Sequence, residues 1–255
     1  MKERPYILLT NDDGIGAQGL TALRGAFEAW GEVMVVAPDR ECSAVGHSIT
    51  LRKPLRVHKI AGAVFEVDGT PTDCVLIAVC ALSDRRPDLV VSGINQGPNL
   101  GDDVTYSGTI GAAMEGALWG IPSMAISAVG LERGSLSVAA QIGVRLAKRI
   151  LRHDMPGNTL LNVNVPDLPE ARIRGVRVTK LGQRVRFEEE LVIRKLDAQG
   201  EMRYWIAGED PTWTGDAQTD AAAIGEGYVS VTPLHLDLTH YETMKELEAW
   251  GDLAL

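Results

Sequence analysis

The sequence predicts an α/β protein built on a doubly wound, mostly parallel sheet, with projecting antiparallel β-hairpins and a C-terminal helix. Short, continuous runs of apolar and β-branched residues alternate with longer helical segments through the first two thirds of the 255 residues. Such runs are typical of parallel strands that are covered on both faces. Helical segments between parallel strands make right-handed crossovers, which place helices on both sides of one sheet.

The apolar runs predict five strands, at residues 7–9, 33–36, 89–91, 124–126 and 160–165. The segments between them predict four helices, at residues 18–29, 72–82, 111–119 and 136–151. In the last of these, Val138, Ile142, Leu146 and Ile150 recur at the spacing of one helical face. This alternation of elements is that of a Rossmann-like sheet.

Two further regions read as antiparallel structure. One is a hairpin at residues 50–68, with strands at 50–57 and 64–67 around a turn at Ala61-Gly62. The other spans residues 175–207, with a strand at 176–181 and a hairpin that pairs 190–194 with 202–206. A strand at 228–232 and an amphipathic helix at 241–250 complete the chain.

We interpret the whole chain, residues 1–255, as a single domain. Its core covers about residues 1–170 and 215–234, the hairpin extension about 175–210, and the helical tail about 238–252.

Composition narrows the class of protein. A net charge of −9 and a pI of about 5.1 argue against binding to duplex nucleic acid or to an anionic membrane. The 3 cysteines contain no CxxC pair, which fits a reducing compartment. The start of the chain lacks the apolar core of a signal peptide, and no apolar run reaches the roughly 18 residues of a membrane span. The sequence therefore predicts a soluble, cytoplasmic protein.

Two adjacent carboxylates follow the first predicted strand. Asp12 and Asp13 stand where Asn11-Asp12-Asp13-Gly14 ends the run Tyr6-Ile7-Leu8-Leu9-Thr10. Ligands of open α/β sheets bind at the carboxyl ends of strands. Neighbouring carboxylates repel each other unless a positive charge lies beside them, and a hard divalent cation is the simplest such partner. The pair therefore predicts half of a metal site.

The glycines behind this pair allow a second interpretation. Gly14, Gly16 and Gly19 form a G-x-G-x-x-G motif after a strand, and Asp39 follows the second strand where a ribose-binding acid would stand. This pattern is typical of an NAD-dependent oxidoreductase. Two carboxylates at the mouth of the loop would repel a pyrophosphate, however, and the same glycines also serve tight turning and close helix packing.

Three more loops carry candidate site residues. Ser43 and His47 lie in the loop at 38–48, where they could act as a ligand and a base or simply make turn and packing contacts. The loop at 92–103 contributes Asn95 and Asn99 among three glycines, a composition that turns also favour. Ser107, Gly108 and Thr109 open a helix, either as an anion site or as an ordinary N-cap.

Six stretches form a pattern that spans nearly the whole chain. They are Thr10-Asn11-Asp12-Asp13-Gly14, the Ser43 loop through Gly46-His47-Ser48, Gly69-Thr70-Pro71-Thr72-Asp73-Cys74-Val75, Ser92-Gly93-Ile94-Asn95 through Tyr106-Ser107-Gly108-Thr109, Asn162-Val163-Asn164-Val165-Pro166, and Thr219-Asp220 through Gly227-Tyr228-Val229-Ser230-Val231-Thr232-Pro233-Leu234. In this order they resemble the survival protein SurE family.

The resemblance implies a metal-dependent phosphatase that converts nucleoside 5′-monophosphates to nucleoside and phosphate. It also implies activity on 3′-nucleotides and short polyphosphate in some members, and homodimers or homotetramers formed through the hairpin and the C-terminal helix. By residue-to-residue matching, it implies one divalent metal per subunit, bound by Asp12, Asp13, Ser43 and Asn95. It further implies Asn99, Ser107, Gly108 and Thr109 as phosphate-binding groups. Of these residues, Asp12, Asn99 and Ser107 are implied as catalytic.

The chemistry of this set is coherent. Carboxylate, hydroxyl and amide oxygens suit Mg²⁺ or Mn²⁺. A bound cation would activate water for attack on phosphorus, with Asp12 accepting the proton. Asp12 as the nucleophile itself is the alternative. Two other functions stay open from the sequence: a non-catalytic protein that binds metal and nucleotide for regulation, and the NAD-dependent oxidoreductase.

Overall fold

The structure, a computed structural model, describes residues 4–130, 135–153, 155–185, 192–206 and 212–250. In chain order its strands are β1 (Tyr6–Thr10), β2 (Glu32–Pro38), β3 (Val57–Ala61), β4 (Val64–Val67), β5 (Leu89–Gln96), β6 (Ser123–Val129), β7 (Thr159–Pro166), β8 (Val176–Val178), β9 (Gln183–Arg184), β10 (Val192–Leu196), β11 (Met202–Ile206), β12 (Trp213–Thr214) and β13 (Val229–His235). Its α-helices are α1 (Gln18–Glu28), α2 (Pro71–Ile77), α3 (Gly108–Leu118), α4 (Ser135–Ile150), α5 (Asp220–Gly225) and α6 (Tyr241–Glu248).

One large sheet organises the described residues. Its nine strands lie in the order β3-β4-β2-β1-β5-β6-β7-β13-β8. All neighbouring pairs are parallel except the β3–β4 and β7–β13 pairs, which are antiparallel. The prediction of a mostly parallel α/β sheet is thus confirmed.

Helices cover both faces of this sheet. Strand β1 is buried along its whole length, and alternate residues point to opposite sides. Ile7 and Leu9 pack with α1 and α4, whereas Tyr6 and Leu8 pack with α2 and with Ala112 of α3. The sheet is therefore wound on both sides, as the alternation of apolar runs and helices predicted.

The first hairpin differs from its prediction. The antiparallel partner of β4 is β3, so residues 50–56 form no strand. Arg52 adopts a positive φ of 62°, which breaks an extended run. Thr50 instead donates from N and Oγ1 to the Asp73 carboxylate, at 2.8 and 2.6 Å. A contact with α2 thus takes the place of strand pairing.

Other element ends also differ. The predicted helix at 72–82 is α2 followed by a π-helical turn, Ala78–Leu82. Helix α3 begins three residues earlier than predicted, and β5 extends beyond the predicted 89–91 to Gln96. The strand predicted at 176–181 is only the short β8. Of the strand predicted at 190–194, residues 190 and 191 lie outside the described residues.

The hairpin of β10 and β11 and the helix α6 are confirmed as projecting antiparallel and C-terminal elements. Every residue of β10, β11 and α6 is exposed. Separately, the described part of the chain contains no helix that is both long and apolar enough to cross a membrane.

Candidate functional site

The candidate site lies where the sheet changes direction. From β1 the chain passes to β2 and then to β4 on one side, and it returns to β5 on the other side of β1. Such a topological switch point leaves a crevice at the carboxyl ends of the strands. Asp12 and Asp13 follow β1, and Asn95 lies at the end of β5. The order of the strands in the sheet thus brings these side chains to the two neighbouring strands that flank the crevice.

Asp12 is a buried carboxylate held by two other segments. Its carbonyl accepts a hydrogen bond from the Cys42 backbone N–H at 2.7 Å, which ties it to the loop after β2. Its Oδ1 accepts a hydrogen bond from Thr109 Oγ1. Burial raises the pKa of Asp12, and the hydrogen bond from Thr109 opposes that rise. The side chain is therefore fixed between the loop after β2 and the start of α3.

Asp13 is half-buried beside it. Its Oδ2 is shielded from solvent and has no hydrogen-bond partner among the described residues. Burial, the charge of Asp12 and the charge of Glu41 raise the pKa of Asp13 to about 6, against a hydrogen bond from the Gln96 backbone that lowers it. An unpartnered, shielded carboxylate oxygen beside a second carboxylate is destabilising unless a cation binds there.

The start of α3 packs directly on Asp12. A Cβ at Gly108 would lie 2.9 Å from Asp12 Cβ, 3.1 Å from Asp12 Oδ2 and 3.0 Å from Val45 Cγ2, so only glycine allows this approach. Ser107 caps the helix, and its Oγ accepts from the Ile110 N–H at 3.1 Å. The positive end of the helix dipole therefore faces the carboxylate.

The loop after β2 is anchored on both sides of Ser43. The Cys42 N–H bonds Asp12, as described above, and the Gly46 N–H donates to the Tyr106 carbonyl at 2.9 Å. His47 Nε2 lies 2.9 Å from Glu115 Oε2 of α3. The loop that carries Ser43 is thus held by contacts with the residues that follow β1, with the turn before α3 and, through His47, with α3 itself.

The Ser43 hydroxyl itself makes a contact that the sequence did not predict. It is exposed and donates to Glu41 Oε1 at 2.7 Å. The Glu41 charge reaches both Asp12 and Asp13, since it contributes to the raised pKa of each. Glu41 is therefore a third carboxylate at this edge of the sheet. In the sequence, only its position two residues before Ser43 indicated that it would lie near the site.

The two asparagines differ in surroundings. Asn95 is half-buried, and its Nδ2 donates to the Gly97 carbonyl at 3.0 Å, which leaves Oδ1 as the atom that could reach a cation. Asn99 is buried, and its Nδ2 donates to Ser127 Oγ at 2.8 Å. The carboxamide of Asn99 is thus held from within the sheet.

Several residues that hold the loop after β5 were not predicted from the sequence. Asn162 and Asn164 of β7 bind the backbone of Asn99, and Asp220 of α5 accepts from the Gly101 N–H at 2.8 Å. The sequence does contain an indication of their role, because asparagines alternate with valines in the apolar run 162–165. A buried polar residue at such a position needs a partner, and here the partner lies more than sixty residues away in sequence.

The donor set fits a hard cation. Among the described residues, no group of three His, Cys, Asp or Glu side chains is arranged to hold a metal. The candidate set instead combines the Asp12 and Asp13 carboxylates with the hydroxyl of Ser43 and the amide oxygen of Asn95. The unpartnered Asp13 Oδ2 and the raised pKa values of both aspartates are what an oxygen-liganded cation would relieve.

The fold and the site define an open α/β protein with an acidic crevice at its topological switch point, where proteins of this class bind small ligands. The chain belongs to the survival protein SurE family, whose family model matches residues 7–188.

Named relatives extend over nearly the whole chain. A protein of Geotalea daltonii named 5′-nucleotidase SurE is 51% identical over 245 residues, which cover 96% of this chain and 98% of that protein. A protein of Aquifex aeolicus with the same name is 48% identical over 250 residues, covering 97% and 99% of the two chains. The crystal structure of the SurE protein from Aquifex aeolicus is similar to this structure with a TM-score of 0.86 at 48% identity, covering 97% of this chain and 100% of that one.

Proposed function

We propose that this chain is a metal-dependent phosphatase that hydrolyses nucleoside 5′-monophosphates to nucleoside and phosphate. The names of the relatives support the nucleotidase activity. The observation that carries the proposal is a pair of adjacent carboxylates: the buried Asp12, packed against the start of α3, and the half-buried Asp13, with one unpartnered oxygen. A carboxylate pair beside a helix N-terminus suits a substrate that brings a phosphate and requires a cation.

One Mg²⁺ or Mn²⁺ per subunit would be held by Asp12, Asp13, Ser43 and Asn95. All four residues provide oxygen atoms, which these metals prefer. When bound, the metal would neutralise the charge of the phosphate and acidify a water molecule. Ser43 would exchange its hydrogen bond with Glu41 for the metal, so Glu41 would also influence the charge of the site.

The phosphate would lie at the start of α3, close to Ser107, Gly108, Thr109 and Asn99. First-turn N–H groups of a helix lack intrahelical partners and bind anions. Thr109 already gives its hydroxyl to Asp12, so it acts mainly by holding the carboxylate. The Gly108 N–H, the Ser107 hydroxyl and the second N–H of the Asn99 amide are then the groups that would bind phosphate oxygens.

Asp12 is the residue that would accept the proton of the attacking water. A carboxylate held beside the metal-bound water is a common general base. Thr109 holds one of its oxygens in place. A carboxylate that is bound in this way is a poorer nucleophile, and this favours attack by water over attack by Asp12 itself.

The contacts of the glycine-rich loop argue against the NAD-dependent oxidoreductase. The Ile15 N–H donates to the Pro38 carbonyl at 2.8 Å, and the Ala17 N–H donates to the Gly14 carbonyl at 3.1 Å. These backbone donors are therefore used within the protein rather than offered to a pyrophosphate. Gly14 has a φ of 94°, and a Cβ at Gly19 would lie 2.0 Å from the Ile94 carbonyl oxygen. Turning and close packing account for both glycines.

Phosphate release from AMP in the presence of Mg²⁺ or Mn²⁺ tests the proposal. We expect release that EDTA abolishes and that Asp12→Asn reduces to background, because that variant keeps the shape but loses the negative charge. Asp216→Asn, at an exposed aspartate outside the site, is the matched control and should keep wild-type activity. Binding of AMP and Mn²⁺ without turnover would instead favour the regulatory protein, and full activity of Asp12→Asn would refute the site.

The same assay with 3′-AMP and with short polyphosphate measures how far the substrate range extends. We propose that both are accepted, since the groups around Gly108 would bind the phosphate rather than the sugar. If phosphate is released from AMP but not from these two substrates, the activity is limited to 5′-nucleotides and the main proposal is unaffected.

We also propose that the chain forms a homodimer or homotetramer through the β10–β11 hairpin and α6. Large apolar side chains are exposed there, with Ile206 of β11 92% exposed, Tyr204 of β11 64% and Trp250, just after α6, 71%. Exposed apolar patches of this kind are typical of subunit interfaces. A cytoplasmic location is proposed on the basis of the cysteines, since Cys42, Cys74 and Cys80 are all unpaired thiols.

A further inference from the structure

We infer that Ser127, Asn162 and Asn164 are positioning residues that hold Asn99 in the site; this inference rests on the proposed phosphatase function. Ser127 lies on β6 and the two asparagines lie on the neighbouring strand β7, with Ser127 directly opposite Asn164. All three are 0% exposed, and Asn99 is 6% exposed. Polar side chains are rarely buried so completely unless each has a partner.

Side chains of β7 bind both the N–H and the carbonyl of Asn99, as the backbone of a neighbouring strand would do. Asn164 Oδ1 accepts from the Asn99 N–H at 2.9 Å, and Asn164 Nδ2 donates to the Asn99 carbonyl at 3.0 Å. Asn162 Nδ2 donates to the same carbonyl at 2.8 Å. Asn99 lies in the loop beyond the end of β5, so these three hydrogen bonds from β7 fix its position there.

The side chain of Asn99 is oriented by a separate contact. Its Nδ2 donates to Ser127 Oγ at 2.8 Å. The terminal torsion of an asparagine has a broad energy profile, so a hydrogen bond is what selects one orientation of the amide. With one N–H directed to Ser127, the directions of the other N–H and of Oδ1 are also set. These are the atoms of Asn99 that the substrate phosphate would contact.

Stability alone does not explain these residues. Burying amide and hydroxyl groups costs free energy that their hydrogen bonds only offset, whereas valine or alanine would pack in the same strands at no such cost. Val163 and Val165 of β7 do pack in that way, in the apolar core with α1 and α4. The polar side chains are placed where they reach Asn99, and this points to positioning rather than to packing.

The substitution Ser127→Ala tests the inference, with Ser123→Ala as its matched control. Ser123 is also a fully buried serine of β6, but its hydroxyl donates to the Ile121 carbonyl and its Oγ lies near Gly116, at the far end of α3. Both variants remove one buried hydrogen bond, so both should lower the melting temperature by similar amounts. Only Ser127→Ala should lower kcat for AMP, on the order of tenfold to a hundredfold, because it frees the Asn99 amide to rotate. The affinity for Mn²⁺ should stay unchanged in both.

The double variant Ser127→Ala with Asn99→Ala separates positioning from general damage. If Ser127 acts through Asn99, it has no further effect on kcat once the Asn99 side chain is removed. An equal loss in both backgrounds would overturn the inference, and so would wild-type kcat in Ser127→Ala or in Asn99→Ala alone.

A measurement independent of activity distinguishes this inference from the proposed function. The side-chain amide NMR signals of Asn99, identified by their loss in Asn99→Ala, should shift and exchange faster with solvent in Ser127→Ala. They should stay in place in Ser123→Ala. Signals that do not move in Ser127→Ala would overturn the positioning role. Absence of phosphate release by the wild-type protein, with the signals moving as expected, would refute the proposed function and leave only the structural part of the inference supported.

Discussion

The substitution Gly108→Ala tests most directly how the start of α3 and Asp12 depend on each other. The new Cβ would lie 2.9 Å from Asp12 Cβ, 3.1 Å from Asp12 Oδ2 and 3.0 Å from Val45 Cγ2. Carbon atoms reach their favourable contact at about 3.5 Å, so the Asp12 Cβ must move by roughly 0.6 Å. A displacement of about 1 Å can reduce catalysis a hundredfold, and we therefore expect kcat for AMP to fall on the order of tenfold to a hundredfold.

Stability should change much less than activity. Crowding of this kind costs about 1–3 kcal/mol, and each kcal/mol lowers the melting temperature of a chain of this size by about 2–4 °C. The variant should thus remain folded, and calorimetric titration with Mn²⁺ should show weaker binding because a proposed ligand has moved. Helix propensity opposes the loss only slightly, since alanine is favoured over glycine by at most about 1 kcal/mol.

Gly25→Ala is the matched control. Gly25 lies in α1, and a Cβ there would have no atom within 4 Å. This variant should be as stable as the wild type or more stable, with unchanged kcat and Mn²⁺ affinity. If Gly108→Ala also keeps wild-type kcat and Mn²⁺ affinity, then Asp12 is not placed by the start of α3 and the reasoning is wrong.

Three further predictions concern charge, scaffold and assembly. Folding raises the pKa of Asp13 from 3.8 to about 6, so its contribution to the stability of the metal-free protein increases as the pH falls through about 6. Denaturant unfolding at several pH values should show this pH dependence in the wild type but not in Asp13→Asn. The affinity of the wild type for Mn²⁺ should fall below about pH 6. If the stability of the wild type and of Asp13→Asn depends on pH in the same way, the shift is contradicted. Asp220→Ala leaves the buried Gly101 N–H without its acceptor, and we expect a loss of about 3 kcal/mol or more, because Asp220 also accepts from two other backbone groups. The exposed Asp216→Ala should cost far less in the same unfolding experiment. Ile206→Asp should reduce the oligomer size measured by light scattering, and an unchanged mass would exclude the hairpin from the interface.

The placement of several candidate residues at one edge of the sheet could be predicted because the rule for parallel sheets is local. A strand of apolar residues that ends in Asn11-Asp12-Asp13 places its carboxylates at the carboxyl edge, and a loop that follows another strand of the sheet lies at the same edge. The structure places Asp12, Gly108 and Thr109 in contact, although they are nearly a hundred residues apart.

The remaining features depend on contacts that no local pattern contains. The run at 50–57 has the residue types of a strand, but Thr50 binds Asp73 and Arg52 turns the chain. The Asn99 amide was predicted to face phosphate. Its hydrogen bond to Ser127 could not be predicted, because the sequence does not show that β6 lies beside that loop. Glu41 influences both aspartates through space, and its own neighbours in sequence do not indicate that it does.

The small β9–β12 sheet has a consequence for how this chain can vary in length. Trp213 pairs with Arg184, so the two ends of the long excursion between them lie side by side. Arg184 binds Asp103 at 2.7 Å, and Trp213 Nε1 donates to the Leu100 carbonyl at 3.1 Å, so both ends are also fastened to the turn that follows Asn99. Residues inserted into the excursion, or a domain fused within it, would therefore begin and end next to each other, at the paired strands β9 and β12. The length of this excursion can therefore change without moving the part of the chain that would carry the chemistry.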